Sequence, residues 1–464
     1  MQWLDFKDKR YWNLLLTIGL PIAVQNLILN SLTLVDNILI GGLGEESIVA
    51  VGIANRFNFI FMLFMFGINS GANIFSAQFW GKKDINGIRK ILGISLAIGL
   101  IVSVPFVFMG ISYPQLFMDF FTDDKGVSVQ GAGYLALLAL SFPLSAISSS
   151  FGMQSRGIGR TTLPLIASSI SLAINTVLGY IFIYGKLGMS AMGVNGAALA
   201  TVIAKVIECI VLITLIYRKN YELAVKPADL KGYTSDFVKR FFKTVSPVIL
   251  NELFWAVGVT GYTFFYNKLG TEAYATVQIM DVINSVFFFL FIGIGNACGA
   301  IIGRFIGAGD EETARLYAKR SVAAGALIGV AMTLLLLITA PFILMLFHIE
   351  ETTLVLCRKA VWVLAAFLVP KAVNMIMIVG VCRGGGDTVF AAKIDVGAPW
   401  LVGLPLAFLG AVVLRLPVYW VMAMVGVEEF VKCFLGIKRL LGNRWLNNVV
   451  KGMDKPAEGM ITSN

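Results

Sequence analysis

The side chains with chemistry to offer are oxygen-bearing groups set at helical intervals inside apolar sequence. Asn26, Asn30, Thr33 and Asn37 recur at i, i+4, i+7 and i+11, which makes one stripe along a helix, and the carboxylate of Asp36 stands beside it. Ser168, Ser171 and Asn175 repeat the device on a second helix, and Thr201 offers a hydroxyl on the next. Carboxylate, amide and hydroxyl oxygens suit a hard cation such as Na+, while a desolvated carboxylate alone can bind a proton. Asp36, Asn175 and Thr201 are therefore the candidates for converging on one cation. In the second half, Glu252 is followed at +3, +10 and +14 by Trp255, Tyr262 and Tyr266, roughly one helical face. Asp281 and Asp395 add acid there and Lys371 adds base, leaving a net negative interior. A buried carboxylate beside aromatic rings attracts a lipophilic cation by Coulomb force and cation-π contact.

Each of these readings has a packing alternative. Asp36 can pair with Arg56, a group at similar depth on the second helix, and stay ionised. Asn175 and Thr201 can simply hydrogen-bond between helices. Glu252, Lys371 and Asp395 can form a charge cluster that only locks helices together. Lys205 with Glu208, and Glu428 with Lys432, are spaced as pairs on one helix face. The run Phe287 to Phe291 reads as packing or lipid contact before it reads as a binding box.

The elements that must position these groups follow from composition. The 464 residues are 58% apolar and only 14% charged, with a mean hydropathy of +0.82. Those values lie far from globular usage, and apolar runs long enough to span a bilayer recur along the whole chain. A soluble enzyme, a nucleic-acid binder and a disordered scaffold are excluded. The five cysteines stand singly with no C-x-x-C pair, against a disulfide framework or zinc site, and one histidine, His348, gives imidazole chemistry little to work with. No Gly-x-Ser-x-Gly or His-Glu-x-x-His occurs, so a membrane-embedded hydrolase is disfavoured and the chain does not read as an enzyme. The charged start, 1–11, does not read as a cleaved signal peptide.

Apolar runs bounded by Gly, Pro and charge predict twelve helices: 11–41, 46–79, 87–113, 127–153, 161–185, 193–218, 237–268, 272–306, 312–347, 353–382, 388–411 and 415–440. With both termini in the cytoplasm, 27 of the 37 Lys and Arg fall in inner segments and six in outer loops, so the net charge of +10 reports topology. The sequence also repeats. Shifted by 226 residues, 43–90 meets 269–316 without a gap, with 13 identities in 48 positions that include Gly44 on Gly270, Gly81 on Gly307, Asp84 on Asp310 and Arg89 on Arg315. Pro21 pairs with Pro247, and after a one-residue slip Pro143 pairs with Pro370 and Arg156-Gly157-Ile158-Gly159 with Arg383-Gly384-Gly385-Gly386. The expected architecture is an all-α polytopic membrane protein of twelve transmembrane helices in two pseudo-symmetric six-helix lobes. They are an amino-terminal lobe (1–216), a cytoplasmic linker (217–236), a carboxy-terminal lobe (237–440) and a cytoplasmic tail (441–464). Parallel halves of this kind favour alternating access.

The stretch from Asp36 to Gly44, Ala77-Gln78-Phe79-Trp80-Gly81, the paired Arg-Gly-x-Gly turns and Gly196 to Thr201 together resemble the multidrug and toxic compound extrusion (MATE) transporters, prokaryotic type. The resemblance covers nearly the whole chain. It implies a secondary active efflux antiporter of the cell membrane that exports organic cations or related amphiphiles in exchange for H+ or Na+, working without a cofactor and as a monomer. Asp36, Asn175 and Thr201 match members of the amino-lobe cation site in MATE-like sequences, where Na+ or a proton would sit at Asp36. A second carboxylate expected four residues after Asn175 is replaced by Gly179. The resemblance implies an acidic seventh helix too, though in a register that Glu252 does not clearly share. A lipid-linked oligosaccharide flippase of the same superfamily is the alternative. Its anionic cargo calls for cationic residues, whereas intramembrane acids outnumber bases here.

Overall fold

Apolar sequence in a lipid setting becomes helix because every backbone N–H and C=O must be satisfied inside its own segment. The computed structural model describes residues 5–453 apart from 6, 227, 228, 230, 346 and 348; the first four residues, His348 and residues 454–464 of the tail lie outside the described residues. The first half holds α1 (Lys9–Gly41), α2 (Glu45–Lys82), α3 (Ile85–Ser112), α4 (Pro114–Asp119), α5 (Lys125–Ala139), α6 (Phe142–Gly157), α7 (Thr162–Tyr184) and α8 (Val194–Arg218). The second holds α9 (Ser235–Asn267), α10 (Thr271–Gly307), α11 (Glu311–Met345), α12 (Glu351–Met375), α13 (Thr388–Ala398), α14 (Leu404–Phe408) and α15 (Val418–Leu441). No strand occurs among the described residues. Among the described residues ten segments are long and apolar enough to cross a membrane, two of them composite (Glu351–Arg383, and Thr388–Val413, which takes in α13 and α14), and α5 with α6, bent by 49°, pass together as an eleventh. The remaining expected span, α15, is 24 residues long and carries Glu428, Glu429 and Lys432, charges that need partners inside the protein.

The internal repeat is reproduced as backbone geometry. Gly44 and Gly270 precede α2 and α10 with φ of 106° and 105°, a region that favours glycine. Gly159 and Gly386 both take φ of 80°, each donating its N–H to the carbonyl of the arginine three residues earlier, at 3.1 and 2.8 Å. Asp84 caps α3 by accepting from the Gly87 amide, and Asp310 accepts from Thr313 at the same place in the second copy. One difference stands out. Three π-helical segments, Ile376–Arg383, Pro399–Gly403 and Leu409–Val413, occur in the second half, and among the described residues the first half has none. Such wide turns are uncommon and gather at functional sites.

By its own packing the chain divides into two units. The amino-terminal unit is Val24–Phe241; the carboxy-terminal unit is Phe242–Met453 with the described residues of Met1–Ala23. The first turns of α1 therefore belong with the second half. Tyr11 donates to Ser321 at 3.0 Å, and Arg320 pairs with Asp8 and, at 3.4 Å, with Asp5. Burial opposes the Asp8 charge, yet the Tyr11 and Arg10 amides and the Arg320 guanidinium hold its pKa below the usual carboxylate value. The core of the amino-terminal unit gathers Phe57, Phe61, Met65, Leu135, Phe142 and Ala198; that of the carboxy-terminal unit gathers Tyr11, Ile22, Ile301, Tyr317, Met377 and Trp445.

Each half ends in a strap laid over its own Arg-Gly-x-Gly turn. In the amino-terminal unit Arg160 pairs with Glu222 at 3.0 Å and lies over the Tyr221 ring, while Arg89 pairs with Asp229 at 3.1 Å and Tyr233 donates to the Lys90 carbonyl. In the carboxy-terminal unit the Asn447 amide donates to the Gly385 carbonyl at 2.7 Å, Trp445 is fully buried, and Arg439 pairs with Asp387 at 2.6 Å. Burial disfavours the Glu222 charge, but the Arg160 guanidinium outweighs it and holds the Glu222 pKa down. A depressed carboxyl pKa contributes stability above its unfolded value, about 4.3, that is lost as pH falls through the folded value. A spin label at Lys219→Cys should accordingly be immobile at neutral pH and become mobile below about pH 4. Glu222→Gln should make it mobile across the whole range; a label unaffected by both would mean that Arg160 does not hold the strap.

Candidate functional site

In the amino-terminal unit, three contacts fix how α1 lies on α7. Gln25 donates to Ser168 at 3.0 Å, Leu39 is 3.3 Å from where a Cβ on Gly179 would fall, and the Tyr184 hydroxyl donates to the Leu39 carbonyl at 2.7 Å. The contacts advance together on both helices, so the two run parallel, and interpolation puts Asp36 at the level of the turn that follows Asn175. Gly179 is thus filled by Leu39, and a larger side chain there would displace it. Asn175 is fully buried; its amide donates to the Thr201 hydroxyl at 3.1 Å, and its Oδ1 has no hydrogen-bond partner. Tyr134 of α5, also buried, is within electrostatic range of Asp36.

Asp36 itself is half-buried and makes no ion pair among the described residues. Arg56 lies over the Phe121 ring, 5.5 Å from its centroid, so the pairing of Asp36 with Arg56 does not form. The polar stripe on α1 runs from buried Asn26 through half-buried Asn30 to exposed Thr33 and Asn37. Lys205 and Glu208 pair at 2.7 Å, as their spacing suggests.

A buried arginine escaped the sequence reading. Arg156, at the end of α6, donates to Gln25 Oε1 at 2.8 and 3.2 Å and to Asn26 Oδ1 at 3.3 Å, and among the described residues no carboxylate pairs with it. Its repeat partner is Arg383, the last residue of the first π-helical segment. Arg383 is 2.7 Å from Glu252 and 3.9 Å from Asp395. Glu252 and Asn251 stand 226 residues after Asn26 and Gln25, so one buried guanidinium meets amides in the first half and a carboxylate in the second. Counting both arginines among loop charges hid this; the Arg-Gly-x-Gly repeat, read with the 226-residue register, is the signal that would have found it.

The rest of the second-half site grows from that pair. Asn251 donates to Asp395 at 2.9 Å and to Glu252 at 3.5 Å. Lys432 is 3.8 Å from Asp395 and 3.5 Å from Glu428, and Tyr262 donates its hydroxyl to Glu428. Asn374 donates to Glu429 at 2.7 Å. Lys371 stands apart, donating to Asn284 at 3.2 Å, so the partners of Glu252 and Asp395 are Arg383 and Lys432. Asp281 is exposed and lies within electrostatic range of Lys371 and of buried Tyr266. Trp255 stacks on Phe288 with centroids 6.1 Å apart, while Phe287 and Phe291 are buried in the core.

Two repeated helical halves, apolar enough for a bilayer and each with polar side chains buried in its middle, are the build of a membrane transporter. The MatE family pattern matches residues 21–181 and again 247–409, and the chain belongs to that family. Its members are transporters, not enzymes. Among similar proteins, a probable multidrug resistance protein NorM of Pasteurella multocida is 27% identical with 88% of each chain covered. The multidrug resistance protein MdtK of Edwardsiella ictaluri is 23% identical over 96% of this chain and 98% of its own. Among solved structures, a MOP superfamily transporter from Pyrococcus furiosus superposes with a TM-score of 0.83 at 19% identity, covering 92% of this chain and 96% of its own. An outward-facing multidrug resistance MATE transporter gives 0.82 at 20% identity, over 93% and 96%.

Removing the Glu252 charge takes away the carboxylate 2.7 Å from buried Arg383 and leaves Asp395 at 3.9 Å. Glu252→Gln should cost about 3 kcal/mol of stability, the scale for breaking a buried pair. Adding Arg383→Met should restore most of it in thermal unfolding of the detergent-solubilised protein. Weakened binding of a cationic dye with no loss of stability would instead make Glu252 an electrostatic filter for cargo.

Proposed function

We propose that this chain is a secondary active exporter of organic cations or amphiphiles, exchanging them for H+ or Na+ by alternating access in the cell membrane. Both termini lie in the cytoplasm in this reading, the lobes are 1–216 and 237–440, and the protein works as a monomer. The observation that carries it is Asp36: a half-buried carboxylate without an ion-pair partner among the described residues, level with the turn after an amide whose Oδ1 accepts nothing. Such a group can take a proton, or contribute with Asn175 and Thr201 to a Na+ site, without first breaking an ion pair. Multidrug resistance in the names of the relatives NorM and MdtK supports the cargo class. On the cargo side, the exposed Asp281 and the stacked Trp255 offer charge and ring face to a lipophilic cation, and Tyr262, Tyr266, Glu252, Asp395 and Lys371 of the same unit complete the candidate set.

Arg156, a buried cation held by amides, favours one second reading, a flippase for a lipid-linked anionic oligosaccharide. Purified protein in liposomes, with Na+ and pH gradients imposed separately, separates the two. Export of a cationic dye driven by one gradient supports the antiporter; gradient-independent movement of an anionic lipid supports the flippase. In the antiporter, Asp36→Asn should reduce gradient-driven efflux to the level seen with no gradient imposed, with expression and melting unchanged. Efflux near the wild-type rate would put the coupling elsewhere.

A further inference from the structure

In the amino-terminal unit α2 and α6 meet along a polar seam. Asn69, Asn73 and Ser76 stand at i, i+4 and i+7 on α2, and Ser150, Gln154 and Gly157 take the same spacing on α6. Asn69 donates to Ser149 at 3.1 Å, Ser76 donates to Gln154 Oε1 at 2.6 Å, and a Cβ on Gly157 would strike Asn73 Oδ1. The second copy makes the same contact from opposite chemistry. Shifted by 226 residues on α2 and 227 on α6, Asn69 becomes Gly295, Asn73 Gly299, Ser76 Ile302, Ser149 Ile376, Ser150 Met377 and Gln154 Val381. There backbone packs on backbone: a Cβ on Gly295 would lie 3.1 Å from the Met375 carbonyl oxygen, and one on Gly299 would lie 3.2 Å from that of Val379. In the first copy, side chains fill the contact and do not satisfy one another. Asn69 Oδ1, Asn73 Oδ1, Ser150 Oγ and Gln154 Nε2 have no hydrogen-bond partner. Ser150 and Gln154 are fully buried, and Asn69 and Asn73 are 2% and 8% exposed.

We propose that the α2–α6 seam of the amino-terminal unit is a binding site for ordered water, a short file of molecules held by Asn69, Asn73, Ser150 and Gln154. Buried polar atoms are seldom left unmade, and internal water with several polar partners is a usual way of satisfying them. These four atoms ask for both roles: the amide oxygens need a donor, Gln154 Nε2 needs an acceptor, and the Ser150 hydroxyl serves as either. Water is donor and acceptor at once. A bare cation would need oxygens alone, and the Gln154 N–H turns one away, while an anion would meet two amide oxygens. Hydrogen bonds bridged by water are re-made as two helices shift, so this contact tolerates movement that the glycine contact of the second copy does not. Its use in alternating access rests on the exporter reading; the hydration does not.

The test is radiolytic hydroxyl-radical footprinting of the full chain in detergent, read at methionines by mass spectrometry. Radicals formed at a bound water react at once with the side chains beside it, so a buried methionine is oxidised where water is held next to it. Met153, 7% exposed and adjacent in sequence to Gln154, should be oxidised in wild type, whereas Met377, 1% exposed in the matching contact of the second copy, should not. After rapid mixing into oxygen-labelled water, Met153 should take up label more slowly than Met189, which is 46% exposed. Asn73→Leu with Gln154→Leu nearly keeps the shapes and removes two of the groups that hold water, so Met153 oxidation should fall to the level of Met377. Should that pair fail to fold, Ser150→Ala removes one hydroxyl and should lower Met153 oxidation by itself. A wild-type Met153 as inert as Met377 overturns the proposal, and so does oxidation that none of these substitutions changes. Label uptake as fast as at Met189 would make the seam an open passage to bulk solvent and overturn it too. Efflux from liposomes is a separate readout: its absence would sink the exporter reading alone, and an unoxidised Met153 this inference alone.

Discussion

A guanidinium stays charged at any pH a protein meets, so burying one obliges the fold to surround it with oxygens. Each half of this chain is built around such a group. Arg156 and Arg383 are 8% and 3% exposed, each at the end of a helix whose next turn must swing away while the side chain points inward. That demand explains the turn that follows. Gly159 and Gly386 take the left-handed conformation that lets the chain reverse within three residues, and a Cβ on Gly384 would strike the backbone of Gly380 and Gly299. The first turns of each unit's polar core are then set by what the arginine can reach, Gln25 and Asn26 in one case and Glu252 in the other.

The repeat preserves backbone geometry and redistributes charge. Asn26 becomes Glu252, Asp36 becomes Tyr262, Thr201 becomes Glu428, and Arg160, bound to Glu222, becomes Asp387, bound to Arg439. Helix packing, capping and glycine turns depend on shape and main-chain hydrogen bonds, so duplication carries them over intact. A charge depends only on finding a partner, and the partner can sit on either side of a contact. Two units with one fold can therefore hold polar cores of different balance: Arg156 and Lys205 match Glu208 and Asp36 in number in the first, whereas Glu252, Asp395, Glu428 and Glu429 outnumber Arg383 and Lys432 in the second.

How much of this was legible in the sequence follows from which forces are local. Spans were legible because lipid demands long apolar runs, and α1, α2, α7 and α8 start and stop within a few residues of the expected bounds. The α7 stripe was legible from periodicity, and Asn175 and Thr201 do meet. The partners of Glu252 were not. Arg383 closes a π-helical segment, and a π turn holds more residues than an α turn, so the 3.6-residue period fails to predict which face follows it. Two further π segments, Pro399–Gly403 and Leu409–Val413, follow Asp395 on the same span. Lys371 looked like the natural partner by depth, but depth does not report azimuth, and its amine rests on Asn284.

The two carboxylates at the centre of the halves differ in a way that sets what each can do. Among the described residues Asp36 makes no ion pair, so a change in its charge acts directly on its neighbourhood, Tyr134 included. Glu428 touches Lys432, which also faces Asp395, and Asp395 faces Arg383, which holds Glu252. A charge change at any of these three carboxylates is redistributed along the chain of pairs by small shifts of two long, flexible cations. The first arrangement answers one ion with a large local field. The second answers with a rearrangement of partners, and a rearrangement can move helices, because Glu252, Arg383, Asp395 and Glu428 come from different segments of one unit.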